Sequence, residues 1–294
     1  MNVFRKFGVV AGSFILTAAI LTVVFLLVVR PAHRNWGATG AEVARALPGD
    51  DLVPQAPFLF TRAVTIKAKP DKIWPWMVQI GYQRGGLYSY DWIDRLIGVL
   101  DRPSADRVLL EFQGLKPGDR IPMGLGPGWP VAALDPGRSM LLDIRQPGVQ
   151  VSWFWSLVPL NEMATRLILR VRGNMELKPA MALSLPVMYV GEFAMVRKML
   201  TGIKQRAEGA PPTPSDELFE LLLWAMAVLV GFIALLMAFF RRKWRRFFLL
   251  AWASFLAVCF LAMVQPPLWT GIVLGFVLIL FLFGSLRGHR THII

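Results

Sequence analysis

Four long stretches of this chain carry no charged residue, and they constrain its fold more than any other feature. They run from Phe7 to Val29, Leu221 to Phe240, Phe247 to Val264 and Leu268 to Leu286. An apolar run of about 18 residues or more, wound as a helix, crosses roughly 30 Å of hydrocarbon. Apolar side chains surround these segments on all sides, which disfavours the alternative of a helical hairpin buried in a soluble protein. Overall composition agrees: 55% of the 294 residues are hydrophobic and the mean hydropathy is +0.50, beyond the roughly 45–50% apolar share of soluble domains.

The first run also resembles a secretory signal, because Arg5 and Lys6 precede it. It is longer than an h-region of about 7–15 residues, and Val28-Val29-Arg30 is not a small-residue cleavage site, so the reading is a retained anchor. The last two runs are separated only by Gln265-Pro266-Pro267. Proline cannot continue a helix, so they are expected as antiparallel neighbours.

A net charge of +13 invites a nucleic-acid reading, but its distribution argues against one. Basic residues gather at Arg5 and Lys6, at Arg241, Arg242, Lys243, Arg245 and Arg246, and at Arg287 and Arg290. With four crossings all three clusters fall on one side, as the positive-inside rule requires. Both termini are therefore expected in the cytoplasm and the central part outside, in a cell (inner) membrane. Between Arg30 and Asp216 there are 23 basic and 17 acidic residues, a surplus suited to an anionic membrane surface and too small for a nucleic-acid stripe. The expected partners are the lipid bilayer and a hydrophobic small molecule, not nucleic acid; the sequence names no protein partner. The chain's one cysteine, Cys259, lies in the third run, so no disulfide within the chain is possible.

The organisation expected is an N-terminal anchor over 1–34, a folded domain over 35–208, a proline-rich linker over 209–216 and a three-helix membrane region over 217–294. Thr39 and Glu42 have capping-box spacing for a short helix. Phe60 to Lys67 reads as a strand. Pro70 opens a helix in which Ile73, Trp76, Met77 and Ile80 recur at helical spacing, and a second helix is expected from Tyr88 to Ile97. Pro-Gly pairs at 117–118, 127–128, 136–137 and 147–148 mark turns. Strands are expected over Val108–Phe112, Arg120–Met123, Trp129–Leu134, Ser139–Ile144, Val149–Leu160 and Thr165–Val171, as an antiparallel sheet. Leu167, Leu169 and Val171 alternate with Arg166, Arg170 and Arg172, which places the arginines on the opposite face of the pleat. A final helix over Val187–Ala207 carries the stripe Tyr189, Phe193, Val196, Leu200 and Ile203, with Glu192, Arg197, Lys198 and Lys204 away from it.

This element order is α+β, that of a helix-grip domain in which a curved antiparallel sheet surrounds a long C-terminal helix, here joined to about four transmembrane helices. The runs Trp36-Gly37-Ala38-Thr39, Leu47-Pro48-Gly49-Asp50, Trp74-Pro75-Trp76-Met77-Val78-Gln79-Ile80-Gly81 and Arg84-Gly85-Gly86-Leu87-Tyr88-Ser89-Tyr90-Asp91-Trp92 resemble bacterial members of the SRPBCC superfamily, the START, Bet v 1-like and polyketide-cyclase-like proteins. The resemblance covers Trp36 to Glu208 and leaves out the terminal runs. It implies a deep apolar cavity between sheet and last helix, used in that superfamily for lipids, sterols, polyketides or hormones by proteins ranging from carriers to cyclases.

Chemistry-bearing residues are few. His33 lies beside the first span and His289 and His292 in the tail, so the expectation is that none sits in the domain. Without histidine or cysteine there, the usual zinc sets, Cys-His nucleophiles and His-dependent triads are not matched. No catalytic residue, metal or cofactor is assigned. Asp91 and Asp94 share a helix face and are read as solvated, as are Glu111, Asp143 and Glu192. Gly85-Gly86 lacks dinucleotide-fingerprint spacing, and Gly124, Gly126 and Gly128 lack the lysine and serine of a P-loop.

Aromatic residues form the stronger constellation. Trp153, Trp155, Leu157, Leu167 and Leu169 of the sheet face Tyr189, Phe193, Val196 and Leu200 of the last helix, with Trp92 beside them and Tyr88 or Tyr90 as a polar handle. The same side chains would equally suit a filled core. The function expected is membrane-tethered binding or transfer of a lipid or other hydrophobic molecule. The alternatives are a cyclase, aromatase or isomerase acting on a lipophilic substrate, and a non-enzymatic component of a membrane complex.

Overall fold

The computed structural model describes residues 3–176 and 185–287; the expected tail residues Arg290, His289 and His292 lie outside them. In chain order the elements are helices α1 (Val3–Val24), α2 (Arg30–Arg34) and α3 (Gly40–Ala44), strand β1 (Phe58–Ile66), helices α4 (Pro70–Val78) and α5 (Asp91–Leu96), strands β2 (Arg120–Ile121), β3 (Trp129–Asp135), β4 (Ser139–Gln146), β5 (Val149–Asn161) and β6 (Ala164–Met175), and helices α6 (Leu185–Ala207), α7 (Pro214–Phe240), α8 (Trp244–Val264) and α9 (Leu268–Arg287). A π-helical turn, Phe25–Val29, joins α1 to α2. Two compact units result: Val28–Pro212, and Met1–Leu27 with Thr213–Ile294.

Among the described residues four helices are long and apolar enough to cross a membrane: Phe4–Arg34, counted through the π-turn and ending within the Val28–Pro212 unit, and Pro214–Phe240, Trp244–Val264 and Leu268–Leu286 of the other. Small residues let α7 and α8 approach closely, as is usual where lipid removes the hydrophobic drive for association. Ala227 and Ala234 on α7 and Ala257 on α8 are buried in one cluster. A methyl placed on Gly231 would sit 3.0 Å from Ser254 Cβ. The α8–α9 connection is Gln265-Pro266-Pro267, as expected, with Gln265 left-handed at φ 50°.

The Val28–Pro212 unit is α+β, built on one antiparallel six-stranded sheet in the order β1-β6-β5-β4-β3-β2. Strand faces follow the two-residue period. Phe60, Arg62, Val64 and Ile66 of β1 share one face with Leu167, Leu169 and Val171 of β6, which pair in turn with Leu157, Trp155 and Trp153 of β5. Helix α6 lies against this inner face, running in the direction of β1. Tyr189 stacks near Phe58 at 5.8 Å, Glu192 binds Arg62, and Lys204 Nζ donates to the Thr65 carbonyl at 2.9 Å. Leu200 and Ile203 are fully buried there, each side chain contributing about 1.5–3 kcal/mol of burial free energy. Gly202 lets the helix close onto the preceding loop: a Cβ there would lie 2.3 Å from the Tyr88 carbonyl oxygen.

Several expectations need correction. Residues 108–112 form no strand; Leu110–Phe112 is a 3-10 turn, because the buried Gln79 amide takes the main-chain groups a neighbouring strand would use. Leu109 N donates to Gln79 Oε1 at 2.8 Å, and Gln79 Nε2 donates to the Arg107 carbonyl at 3.2 Å. The second helix starts at Asp91 and not at Tyr88, whose φ of 57° is incompatible with a right-handed helix. The face bearing Arg166, Arg170 and Arg172 is covered by the segment Trp36–Pro54. Arg170, 4% exposed, donates to the carbonyls of Glu42, Val43 and Arg45, to the Asp50 carboxylate and to Thr61. Arg166 binds both oxygens of Glu42 and the Gly37 carbonyl, and holds the Glu42 carboxyl below its usual pKa. Thr39 and Glu42 form the expected capping box.

Candidate functional site

The inner face is where the sheet and α6 bring the apolar candidates together. Trp153, Trp155, Leu157, Leu167, Leu169, Leu200 and Tyr88 belong to one buried cluster, with Val196 packed against it. Leu167, Leu169 and Leu200 are completely buried and Trp155 is 1% exposed, so these side chains touch neighbours and no open space. The other three candidates lie elsewhere. Phe193, also buried, stacks on His33 with ring centroids 3.8 Å apart and planes parallel within 1°. Tyr189 meets Phe58 and lies under the Arg30 guanidinium, 4.2 Å from its centroid. Trp92 stands edge-on to Tyr90 at 6.5 Å.

The interior is not uniformly apolar. Arg62 is only 2% exposed, and its guanidinium holds both carboxylate oxygens of Glu192, at 2.5 and 2.8 Å. Its Nε donates to the His33 carbonyl at 3.0 Å, and its face covers Phe60 at 3.9 Å. Glu192 was expected on the solvated side of α6; instead it turns inward to neutralise Arg62. Burial raises its pKa, and Arg62 opposes the shift. His33, expected outside the domain, is part of this cluster because α2 packs beside α6. The readable signal was Arg62 itself, a charge in register with Phe60, Val64 and Ile66.

On this inner face two indole donors lack acceptors. The Nε1 atoms of Trp153 and Trp155 are buried and meet no hydrogen-bond acceptor. An unpaired buried donor costs about 1–3 kcal/mol, so this pair weighs against the packing that surrounds it.

A second polar cluster lies under the loop before α5. Asp91, 3% exposed, accepts from Ser104 N at 2.5 Å and from Ser104 Oγ at 2.6 Å. Asp94 is fully buried with neither carboxylate oxygen hydrogen-bonded. Both were expected on a solvated face. Burial, and then the charge of Asp91, push Asp94 up to about 7. Close by, a methyl on Gly85 would meet Tyr88 Oη at 2.6 Å and Gln79 Nε2 at 2.8 Å. The Arg206 guanidinium lies 4.6 Å from the centroid of Tyr88. Burial raises the Tyr88 phenol above its ordinary value, so it stays neutral, and its hydroxyl is buried without a hydrogen-bond partner. Glu111 is exposed, and Asp143 pairs with Arg145 at 2.9 Å. No group of three or more His, Cys, Asp or Glu able to hold a metal occurs among the described residues.

Fold and site together define a class: an α+β sheet-and-helix domain in a chain with four helices able to cross a membrane. Solved structures similar to it include a polyketide-cyclase-like protein from Corynebacterium glutamicum, 17% identical, covering 50% of this chain and 89% of its own, with a TM-score of 0.31. A protein from Thermobifida fusca is 14% identical, covers 53% and 97%, and has a TM-score of 0.32. One from Mesorhizobium loti is 16% identical, covers 50% and 95%, and scores 0.28. No protein-family model and no curated protein matches the chain.

Proposed function

We propose that this chain is a membrane-tethered module whose helix-grip domain binds, or passes on, a lipid or other hydrophobic small molecule between the inner sheet face and α6. The observation that carries this reading is the aromatic and aliphatic surface spanning β5, β6 and α6, centred on Trp153, Trp155, Leu169 and Leu200. A pocket for an apolar ligand is lined in this way, with a few polar groups to fix orientation; here those groups are the indole N–H donors and Tyr88. Since these side chains are packed together, uptake requires the helix and sheet to part. The domain lies outside the cytoplasm, the side opposite the Arg241–Arg246 cluster.

Native mass spectrometry of the full chain, released from detergent micelles after incubation with a mixed lipid extract, tests the reading. The expected spectrum contains a one-to-one adduct that is lost when Leu169→Glu places a charge on the inner face. Absence of any retained molecule across several detergents would overturn it. The second reading, an enzyme on a lipophilic substrate, draws on Asp94, a buried acid that titrates near neutrality. Turnover lost in Asp94→Asn with ligand retention unchanged would favour it.

A further inference from the structure

Trp153 and Trp155 are two residues apart on β5 and therefore on one face. Their ring centroids are 5.2 Å apart with planes inclined by 35°. Across the ladder Trp153 faces Leu142 and Val171, and Trp155 faces Met140 and Leu169. None of these side chains offers an oxygen. Both indoles are shut off from water, at 7% and 1% exposure, and neither N–H has an acceptor.

An indole N–H is a donor only, and phenylalanine or leucine would fill the same space without leaving a polar atom unpaired. Two such donors side by side on a largely apolar face are therefore open to an oxygen delivered from elsewhere. The charge in the same row indicates which kind. Arg62 pairs with Leu169 across β1 and β6, and Leu169 with Trp155 across β6 and β5. That cation is already held by Glu192, which leaves no free positive charge in the row to balance a buried carboxylate or phosphate.

We infer that the molecule taken up on the inner face carries a neutral hydrogen-bond-accepting oxygen, a ketone, ester or ether on an apolar skeleton, received by the N–H groups of Trp153 and Trp155. This rests on the binding reading above and narrows its ligand class. For Trp153 a competing account exists within the protein: Trp129 stands edge-on to it, centroids 4.6 Å apart at 64°, and a ring face is a weak acceptor. Trp155 has the inclined Trp153 ring as its neighbour, so it is the more telling of the two.

Matched probes separate the possibilities. Benzophenone and diphenylmethane differ by a carbonyl in place of a methylene, as do 2-tridecanone and tridecane. Their retention by the full chain in micelles is measured by mass spectrometry. The indole signals of ¹⁵N-labelled protein, assigned with Trp153→Phe and Trp155→Phe, are followed during each titration. The expected result is at least tenfold stronger retention of the ketone in each pair, one hydrogen bond's worth, with the Trp155 indole proton moved downfield by the ketone and not by the hydrocarbon. The ratio of ketone to hydrocarbon retention should shrink in Trp155→Phe, whatever that variant does to the retention of both probes together. Equal retention of ketone and hydrocarbon, or an unmoved indole signal, overturns this inference and leaves apolar binding standing. Retention of neither class overturns the binding reading and this one with it. The comparison within the unaltered protein holds even if a tryptophan variant fails to fold.

Discussion

The ammonium of Lys6 donates to the main-chain carbonyl of Phe239 at 2.8 Å, and to that of Arg241 at 2.9 Å. A cation at the C-terminal end of α7 meets the carbonyls a helix leaves unpaired there and the negative end of its dipole. The start of α1 and the end of α7 therefore share one end of the bundle. The basic residues before the first span and those after the second consequently fall together, the arrangement the charge bias demands.

This gives a topology that labelling can check. In a Cys259→Ser background, a membrane-impermeant maleimide added to intact cells should label Gly137→Cys in the β3–β4 turn and leave Arg242→Cys unlabelled until the membrane is opened. The reverse pattern would place the domain in the cytoplasm.

Arg170 fastens the Trp36–Pro54 segment to the sheet through its donors to Glu42, Val43, Arg45 and Asp50. Removing one partner of a buried ionic network leaves the rest unsatisfied. Arg170→Ala should lower unfolding stability by about 3–5 kcal/mol, whereas Arg138→Ala, on the exposed β3–β4 turn, should change it by less than about 0.5 kcal/mol. Denaturant titration of the detergent-solubilised chain compares the two.

Gly202 should tolerate no side chain. A Cβ would come within 2.3 Å of a main-chain oxygen, so Gly202→Ala must push α6 away from the Tyr88 loop. Loss of thermal stability by several degrees is expected, with Gly191→Ala, where a Cβ meets nothing within 4 Å, unchanged or slightly more stable.

Asp94 makes stability depend on pH in a defined direction. Its folded pKa is raised to about 7 from 3.8, so the folded state holds a proton that the unfolded chain releases. Stability is therefore greatest below about pH 4, falls as pH rises towards 7, and is level above that. Asp94→Asn should remove this slope, gaining up to about 4 kcal/mol relative to the natural residue at pH 8, at 1.4 kcal/mol per pH unit, and little at pH 4. Thermal melts across that range are sufficient. A variant gap that narrows as pH rises would contradict the assignment.

What could be read in the sequence followed from local rules. Uncharged length marks the helices able to cross a membrane, Thr39 with Glu42 marks a cap, and the Pro-Gly pairs mark turns between β3, β4 and β5. The alternation in β6 correctly puts Arg166, Arg170 and Arg172 on one face, but alternation distinguishes faces and not what covers them. Burying that face took the segment Trp36–Pro54, a contact more than a hundred residues away in sequence. Asp91 was illegible for the same reason, since it is held by Ser104, thirteen residues on, and the burial of Asp94 likewise follows from the fold and not from its helical spacing. The alternation of β1 could have revealed Arg62, which interrupts the apolar register of Phe60, Val64 and Ile66, but the sequence reading did not single it out. Its carboxylate partner, Glu192, lies on a helix whose rotation the stripe alone did not fix.

The central claim is that apolar molecules enter between β5, β6 and α6, and an alkyl diazirine probe tests it most directly. Irradiated with the full chain in nanodiscs and digested, it is expected to label α1, α7, α8 and α9 in any case, because these helices are long and apolar enough to cross a membrane. The expected result adds label on peptides containing Trp153–Leu157, Leu167–Val171 or Val196–Ile203, reduced by excess unlabelled lipophile. Label confined to the four membrane helices, at every probe concentration, would contradict it.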